Sequence, residues 1–342
     1  MEQDLTPVSE LGEFGLIEKL TANFKPELES TIKAFNDDCA VIHYDSGDTL
    51  ISTDMYVEGV HFDMVYTPLM HLGYKCIVGS ISDIYAMNGM ASQVVVSLGI
   101  SSRFTVEALE ELYGGIEVAC KKYGIDLVGG DTTTTKTGLF ISVTVLGNAA
   151  RKDICYRNGA QEGDIICVSG DLGGAYIGLQ VLEREKRVFM EAPGAKPELG
   201  GFDYVLKRQL RPEARKDLVE IFKNEKIKPT AMIDISDGLS SEIMHISSQS
   251  GVGCMIFEGK IPIDETTYST ALDFNLDPTL CALSGGEDYE LLFTISPSDY
   301  EKIKNSPDIT SIGHITGKES GYKITTKSDN VYDLKAQGWK HF

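Results

Sequence analysis

The chain has 342 residues, of which 42% are hydrophobic and 24% charged, and its formal net charge at pH 7 is −20. This length predicts two domains, each large enough to form its own core. The negative charge argues against binding to nucleic acid, which needs a basic surface, and against attachment to an anionic membrane. No apolar run approaches the length of a membrane span, so we expect neither nucleic acid nor membrane among the partners.

Cysteine usage indicates a reducing compartment. The chain has seven cysteines, and no two of them have the C-x-x-C spacing of zinc or redox motifs. Most lie in apolar runs, which is typical of buried thiols and not of a disulfide framework. Residues 1–5 lack the basic and apolar regions of a signal peptide. We therefore expect a cytoplasmic protein.

Apolar periodicity in the first part of the chain predicts alternating helices and strands. Pro68 is expected to open a long helix, and Thr105 is expected to cap the helix that follows. The predicted helices cover 12–24, 68–87 and 105–120, and the predicted strands cover 39–44, 49–56, 93–100, 127–128 and 140–146.

A polar segment over 149–163 predicts a domain boundary. We expect an N-terminal domain at 1–149 and a C-terminal domain at 150–342. The alternation of helices and strands indicates an α/β or α+β fold. Beyond the boundary, the pattern predicts strands at 164–169 and 232–235, an exposed loop at 187–203, a helix from Pro212 and a helix at 239–250.

Carboxylates beside small residues recur at the ends of apolar strands. A further one, Asp83, lies inside the predicted helix at 68–87. Such carboxylates are partly desolvated, and several together repel one another unless a cation lies between them. The segments are Asn36-Asp37-Asp38, Ser52-Thr53-Asp54, Gly129-Gly130-Asp131-Thr132 and Asp234-Ile235-Ser236-Asp237-Gly238.

Magnesium prefers oxygen ligands and typically binds through carboxylates together with substrate phosphates. The segments as a group therefore predict a metal-bridged nucleotide site. Each segment alone is more often a turn former or a helix cap, as Asp131 and Asp237 illustrate. Their repeated pairing with small polar residues is what favours the metal site.

Other phosphate and metal motifs are absent from the sequence. It has no calcium loop, no histidine spacing for zinc, no G-x-x-x-x-G-K-[ST] loop and no G-x-G-x-x-G fingerprint. Gly170-Asp171-Leu172-Gly173-Gly174 precedes a helix, and either an anion site or a tight structural turn fits it. We therefore expect phosphates to be held chiefly through metal ions.

These motifs resemble those of the thiamine-monophosphate kinase family. The family lies in a superfamily with aminoimidazole-ribonucleotide synthetase, selenophosphate synthetase and the hydrogenase-maturation dehydratase. The resemblance runs from residue 12 to residue 342. Its most specific pieces are Asp37-Asp38-Cys39-Ala40, Ser52-Thr53-Asp54, Gly59-Val60-His61-Phe62, Ser82-Asp83, Gly129-Gly130-Asp131-Thr132-Thr133, residues 234–239 and residues 284–291.

The resemblance implies an activity and an architecture. The activity is transfer of the ATP γ-phosphoryl group to thiamine monophosphate, giving thiamine diphosphate, with several Mg²⁺ ions; a K⁺ requirement stays open. The fold implied is a two-domain aminoimidazole-ribonucleotide synthetase-like α/β (α+β) fold. Its N-terminal strands would form a barrel at the interface of a homodimer, with ATP bound near that interface.

The resemblance also implies site residues, and it implies no covalent nucleophile. His61, Glu287 and Trp339 would contact thiamine monophosphate. The ATP contacts would be Ser52, Tyr113, Gly130, Asp131, Arg157 and Ser236. The metal ligands would be Asp38, Thr53, Asp54, Asp83, Asp131, Asp234 and Asp237.

Structural interpretations compete with several of these roles. Arg157 could be a surface arginine, Tyr113 a core aromatic residue and His61 a packed histidine. Trp339 could anchor the C-terminus by packing. Asn36 stands where the family usually has glycine, Trp339 stands where it often has tyrosine, and 187–203 has no clear counterpart.

Two other functions remain open from the sequence. One is an ATP-dependent enzyme of the same superfamily that activates an amide. The other is a protein that binds a nucleotide or a thiamine phosphate without turnover. Formation of thiamine diphosphate would distinguish the kinase from the first, and acceptor-dependent release of ADP would exclude the second.

Overall fold

The computed structural model describes residues 31–33, 37–38, 40–44, 47–192, 194 and 196–335. The helix predicted at 12–24 and Trp339 lie outside these residues, as do Asn36 and Cys39. Within the described ranges, no helix has the length and apolar character needed to cross a membrane. The six described cysteines are buried free thiols, as the apolar runs around them predicted.

A six-stranded sheet occupies the first part of the chain, in the order β1-β2-β3-β6-β4-β5. Neighbouring strands are antiparallel, except that β4 and β5 are parallel. The strands are β1 (Thr31–Lys33), β2 (Ala40–Tyr44), β3 (Gly47–Val57), β4 (Met90–Ile100), β5 (Asp126–Thr134) and β6 (Leu139–Ala149).

Two helices cover one face of this sheet, α1 (Leu69–Ala86) and α2 (Val106–Tyr123). Helix α1 begins after Pro68, and the Thr105 side chain accepts a hydrogen bond from the backbone N–H of Ala108, as a cap does. Side chains of β6 alternate between buried and half-buried, because only the face toward the helices is enclosed. The opposite face leaves Met55 exposed.

A seven-stranded sheet follows, in the order β13-β12-β9-β11-β7-β10-β8. Here β9 and β12 are parallel, and the other neighbours are antiparallel. The strands are β7 (Ile165–Ser169), β8 (Ala231–Asp234), β9 (Gly253–Phe257), β10 (Leu291–Ile295), β11 (Ile309–Thr316), β12 (Tyr322–Thr325) and β13 (Val331–Asp333).

Helices cover both faces of the second sheet, so β10 is buried along its whole length. Leu292 packs in a core with Ile243 of one helix, and Phe293 packs on the other face with Phe222. The helices are α3 (Gly174–Glu191), α4 (Asp203–Leu210), α5 (Lys216–Glu225), α6 (Leu239–Ser250), α7 (Glu265–Asp273), α8 (Pro278–Ser284) and α9 (Pro297–Ile303).

The mixed α/β class is confirmed, with two corrections to the predicted elements. Helix α3 runs to Glu191 and α4 starts at Asp203, so only the middle of the predicted loop at 187–203 lacks helix. The helix predicted from Pro212 starts at Lys216 instead. Its expected first turn is tied to the first sheet's helices, because Glu213 accepts hydrogen bonds from the hydroxyls of Tyr74 and Tyr123.

Candidate active site

Three carboxylates from distant parts of the chain meet between the two sheets. Asp38 precedes β2, Asp83 lies on α1, and Asp234 ends β8. Each offers an oxygen within 4.8 Å of the oxygens of the other two. The convergence that the acidic segments predicted is therefore present for these three residues.

Burial and mutual repulsion disfavour the ionised form of these carboxylates in the absence of a cation. Burial, followed by the charge of Asp54, raises the pKa of Asp83 well above its usual range. Burial and the charge of Asp38 raise the pKa of Asp234 to about 8. Burial also raises the pKa of Asp54. Because a divalent cation stabilises the ionised form, it would relieve this repulsion directly.

Serine hydroxyls orient two of the carboxylates. Ser52 donates a short hydrogen bond to Asp83, and Ser82 donates to Asp234 Oδ2 at 2.7 Å. Asp54 Oδ2 is buried and accepts no hydrogen bond from any described residue. A set of oxygen donors with one acceptor left open suits a hard divalent cation such as Mg²⁺.

Arg157 borders the cluster and is not a free surface arginine. Its Nε and Nη2 atoms lie 3.1 and 2.5 Å from the two carboxylate oxygens of Asp38. Its backbone N–H donates to Asp37 Oδ1 at 3.0 Å. Burial nevertheless raises the pKa of Asp37 to about 6. The guanidinium therefore lies directly beside the carboxylate cluster.

Asp131 is not brought into the cluster within this chain. Asp54 of β3 lies opposite Val143 of β6. Val143 lies opposite Val96 of β4, which lies opposite Gly130 of β5. Since paired residues share a face and sequence neighbours alternate, Asp131 points away from the face of Asp54, across strands spanning roughly 14 Å.

Thr53 also lies on the face opposite Asp54, because the two are neighbours in β3. Its hydroxyl is exposed and forms a hydrogen bond of 2.9 Å with the Thr144 hydroxyl. The metal-ligand roles expected for Thr53 and Asp131 are therefore not met by the geometry of one chain.

Two further residues expected to contact ATP, Tyr113 and Gly130, lie at or beside β5. A Cβ on Gly130 would lie 2.0 Å from the carbonyl oxygen of Val96, so close strand packing alone requires glycine there. Tyr113 is partly exposed and lines a cleft of about 750 Å³ with Lys121 and Leu127. Tyr113 is therefore not a core aromatic residue.

A larger cavity, of about 1030 Å³, extends from the carboxylate cluster. This volume is at the upper end of the range for small-molecule sites. Asp54, Asp83 and Asp234 line one end, together with Ser236 and Asp237 of the loop after β8.

His61 and Glu287 line the same cavity. The Val57 backbone N–H donates to His61 Nδ1 at 3.0 Å, so a neutral His61 carries its proton on Nε2. Glu287 has a positive φ of 63°. Its N–H donates to the Ser236 carbonyl at 2.8 Å, which ties it to the loop that carries Asp237.

Two helical residues that the sequence did not single out contact Glu287. Lys75 Nζ lies 2.9 Å from Oε1, and Gln209 Nε2 donates to Oε2 at 2.9 Å. Between Lys75 and Asp83 on α1, Gly79 leaves room for two tyrosines. A Cβ there would lie 2.4 Å from the Tyr56 hydroxyl and 3.1 Å from the Tyr289 hydroxyl.

The glycine-rich turn before α3 binds a side-chain carboxylate of the protein itself. Asp288 accepts hydrogen bonds from the backbone N–H groups of Gly173 at 2.7 Å and Ala175 at 3.3 Å. The structural interpretation of this turn is therefore correct, because a side chain already fills the helix N-terminus.

A comparison with protein families matches the first sheet and its helices. The family described as "AIR synthase related protein, N-terminal domain" matches residues 36–149. The fold over residues 36–149 is thus that of the N-terminal domain of AIR synthase related proteins. A solved structure of this fold, AaThiL complexed with AMPPCP and TMP, is 31% identical, with a TM-score of 0.83 over 99% of this chain and 100% of that chain.

Comparison with curated relatives identifies a more specific family. The thiamine-monophosphate kinase of Aquifex aeolicus is 35% identical over 98% of this chain and 99% of its own length. That of Bacillus subtilis is 32% identical over 97% and 100%. The chain belongs to the thiamine-monophosphate kinase family.

Proposed function

We propose that the protein uses ATP to phosphorylate thiamine monophosphate, giving thiamine diphosphate. The observation that carries the proposal is the convergence of Asp38, Asp83 and Asp234 at one end of a cavity whose walls include His61 and Glu287. The relatives named thiamine-monophosphate kinase, and the AMPPCP and TMP bound by AaThiL, support the same reaction.

The carboxylate cluster would hold magnesium between the two phosphate-bearing substrates. Asp38, Asp54, Asp83, Asp234 and Asp237 supply the oxygen donors. Bound Mg²⁺ would offset the repulsion between the polyanions and the charge on the transferring group.

The protein's own groups orient the reactants for in-line transfer. Arg157 would contact the ATP phosphates, and Ser52 and Ser236 would lie in the same shell. The Nε2–H of His61 would donate a hydrogen bond to thiamine monophosphate, the phosphoryl acceptor. No general base is required, since the attacking atom is an anionic phosphate oxygen of thiamine monophosphate.

A homodimer would explain the residues that one chain leaves apart. We assign an N-terminal domain at 1–149 to dimerisation and nucleotide binding, and a C-terminal domain at 150–342 to completing the site. The edge strand β5 supports this assignment, because it is exposed along its length, including Leu127 and Val128. Pairing of two first sheets into a barrel would enclose Thr53, Tyr113, Gly130 and Asp131.

The deciding experiment incubates the purified protein with ATP, Mg²⁺ and thiamine monophosphate. We expect equal amounts of ADP and thiamine diphosphate, and no product when EDTA replaces Mg²⁺. Release of ADP without thiamine diphosphate would favour an amide-activating enzyme. Absence of ADP with tight binding of the acceptor would favour a binding protein. The Asp83→Asn variant serves as the inactive control.

A second experiment tests the dimer through Val128→Lys on β5. Light scattering should show a dimer for the wild type and a monomer for the variant, with turnover lost in the monomer. A fully active monomer would show that one chain holds the complete site.

A further inference from the structure

The Glu287 carboxylate is held by side chains of two helices, α1 beside the first sheet and α4 beside the second. Lys75 of α1 contacts Oε1, and Gln209 of α4 donates to Oε2, each at 2.9 Å. Both side chains come from residues that are only 4% exposed. Glu287 and Gln209 line the cavity and Lys75 does not, so both Glu287 oxygens are held while the carboxylate remains at the cavity wall.

The hydrogen bond from Gln209 to Glu287 leaves the other atom of the Gln209 amide unpaired. A carboxylate only accepts hydrogen bonds, so Nε2 must face Glu287. Its Oε1 is consequently buried with no hydrogen-bond partner in the described part of the chain. Leaving a buried acceptor unpaired is unfavourable. The contact with Glu287 fixes the amide in this orientation all the same.

The backbone at Glu287 would not orient the side chain reliably by itself. The residue has a positive φ in a turn outside any helix or strand, a conformation that is strained for a non-glycine residue. The turn packs closely against the loop after β8 that carries Ser236 and Asp237, since a Cβ on Gly286 would lie 2.2 Å from the Ser236 carbonyl oxygen. The direction of the Glu287 side chain therefore depends on its two donors.

Helix α1 links these contacts with Glu287 to the carboxylate cluster. Lys75, Gly79 and Asp83 are spaced by four residues and lie along one side of the helix, with Lys75 and Asp83 roughly 12 Å apart along the axis. Asp83 lines the metal end of the cavity, whereas Lys75 does not line the cavity at all. Lys75 thus makes no direct contact with the cavity and reaches it through Glu287, whereas Gln209 lines the cavity beside Glu287.

We propose that Lys75 and Gln209 are positioning residues that set the specificity of the acceptor site. They hold the Glu287 carboxylate at a fixed distance from the metal cluster, where it meets the cationic ring of an acceptor whose phosphate lies at that cluster. This inference rests on the proposed function, and it adds two residues that act on acceptor recognition and not on ATP.

The test is a double-mutant cycle with Glu287. Lys75→Met and Gln209→Leu should each raise the KM for thiamine monophosphate about tenfold, the scale of one lost hydrogen bond to a charged group. The KM for ATP and kcat should change less than about twofold. In a Glu287→Gln background, neither substitution should raise the acceptor KM further. Lys75→Arg should restore part of the loss.

Full additivity in the Glu287→Gln background, or an equal rise in the KM for ATP, would overturn the proposal. If Lys75→Met does not fold, Gln209→Leu and Lys75→Arg complete the cycle. Binding of thiamine, which has the cationic ring and no phosphate, should weaken in parallel in calorimetry. This binding series separates the positioning role of Lys75 and Gln209 from the proposed kinase activity. It still tests the contacts with Glu287 if the wild type makes no thiamine diphosphate.

Discussion

Two buried acidic groups of the molecule differ in how their charge is balanced. At the cavity, Asp83 and Asp234 face other carboxylates, and both have raised pKa values. Behind the cavity, Glu290 is enclosed by arginines: Arg208 Nη1 and Arg215 Nη1 lie 2.8 Å from its two oxygens. A buried carboxylate that is paired with arginines (the balanced group) indicates a structural role. A cluster of carboxylates that face one another (the unbalanced cluster) indicates a cation-binding site.

The comparison also divides one motif into different roles. Within residues 284–291, Glu287 faces the cavity, Asp288 fills a helix N-terminus, and Glu290 binds the arginines. Burial raises the pKa of Asp288 to about 6, below the value of about 8 for Asp234, because Arg208 and two backbone N–H groups lower it. Neighbouring carboxylates of one motif thus lie in different surroundings, one at the cavity wall and two paired within the fold.

The largest effect is expected from removing Glu290, the carboxylate that is paired with two arginines. Glu290→Ala leaves Arg208 and Arg215 buried without their shared partner, which should lower the free energy of unfolding by about 3–5 kcal/mol. Denaturant unfolding measures it. The folded fraction should keep most of its turnover. A variant as stable as the wild type would show that the arginines find other partners.

A somewhat smaller effect is expected from the unbalanced cluster, and it falls on activity. Asp54→Ala should lower kcat by roughly 10²–10³, because a donor at the site of developing charge is lost. The same measurement on Asp54→Asn separates charge from volume. Asp54→Asn should not lose stability, since Asp54 Oδ2 is buried and accepts no hydrogen bond from the described residues. Near-normal turnover would remove Asp54 from the site.

The pH dependence of the metal-free protein sharpens the contrast. The folded pKa of Asp234, about 8, lies above its ordinary value of 3.8. Its contribution to stability is therefore complete below about pH 4 and is lost as the pH rises through about 8. The unfolding midpoint should fall by roughly 5 °C between about pH 6 and pH 9, and Asp234→Asn should reduce this fall.

Mg²⁺ supplies the control for that measurement. Added ion should recover the midpoint at the higher pH in the wild type, because it binds the ionised folded cluster. It should have little effect on Asp234→Asn. A midpoint that rises with pH in the absence of metal would contradict the unbalanced cluster.

The smallest effect concerns the capped helix. Asp288→Asn keeps one acceptor for the N-terminus of α3 and should cost about 1 kcal/mol in denaturant unfolding. Lys304→Ala, which removes an exposed ion pair with Glu301, should leave the unfolding midpoint unchanged. A greater loss from Lys304→Ala than from Asp288→Asn would reverse the ranking of buried and exposed charges.

The sequence predicted the acidic cluster better than its neighbours. Asp54 and Asp234 stand in acidic segments of apolar strands, and Asp83 stands beside small residues of a predicted helix; this local signal survives folding. Lys75 and Gln209 give no such signal, because each is an ordinary residue of a helix. Their contacts with Glu287 span 212 and 78 positions of the chain, and single-sequence patterns do not encode pairs so far apart.

Register explains the expected ligands that the structure separates. Thr53 and Asp131 stand beside residues of the buried face, yet strand alternation turns them to the other face. Neither the pairing of β3 with β6 nor the order of the strands can be deduced from the spacing of acidic residues. The start of α5 at Lys216 has a similar cause, since a tertiary contact of Glu213 overrode the local signal of Pro212.

The missing side chain of Gly79 works as a spacer between the two halves of the protein. The hydroxyls of Tyr56 from β3 and of Tyr289 from the turn before β10 both press against this one position of α1. A methyl group there would clash with the Tyr56 hydroxyl of the first sheet and crowd the Tyr289 hydroxyl beside the second. Gly79 and both tyrosines line the cavity, so the shape of the cavity wall depends on the absence of a side chain at this position.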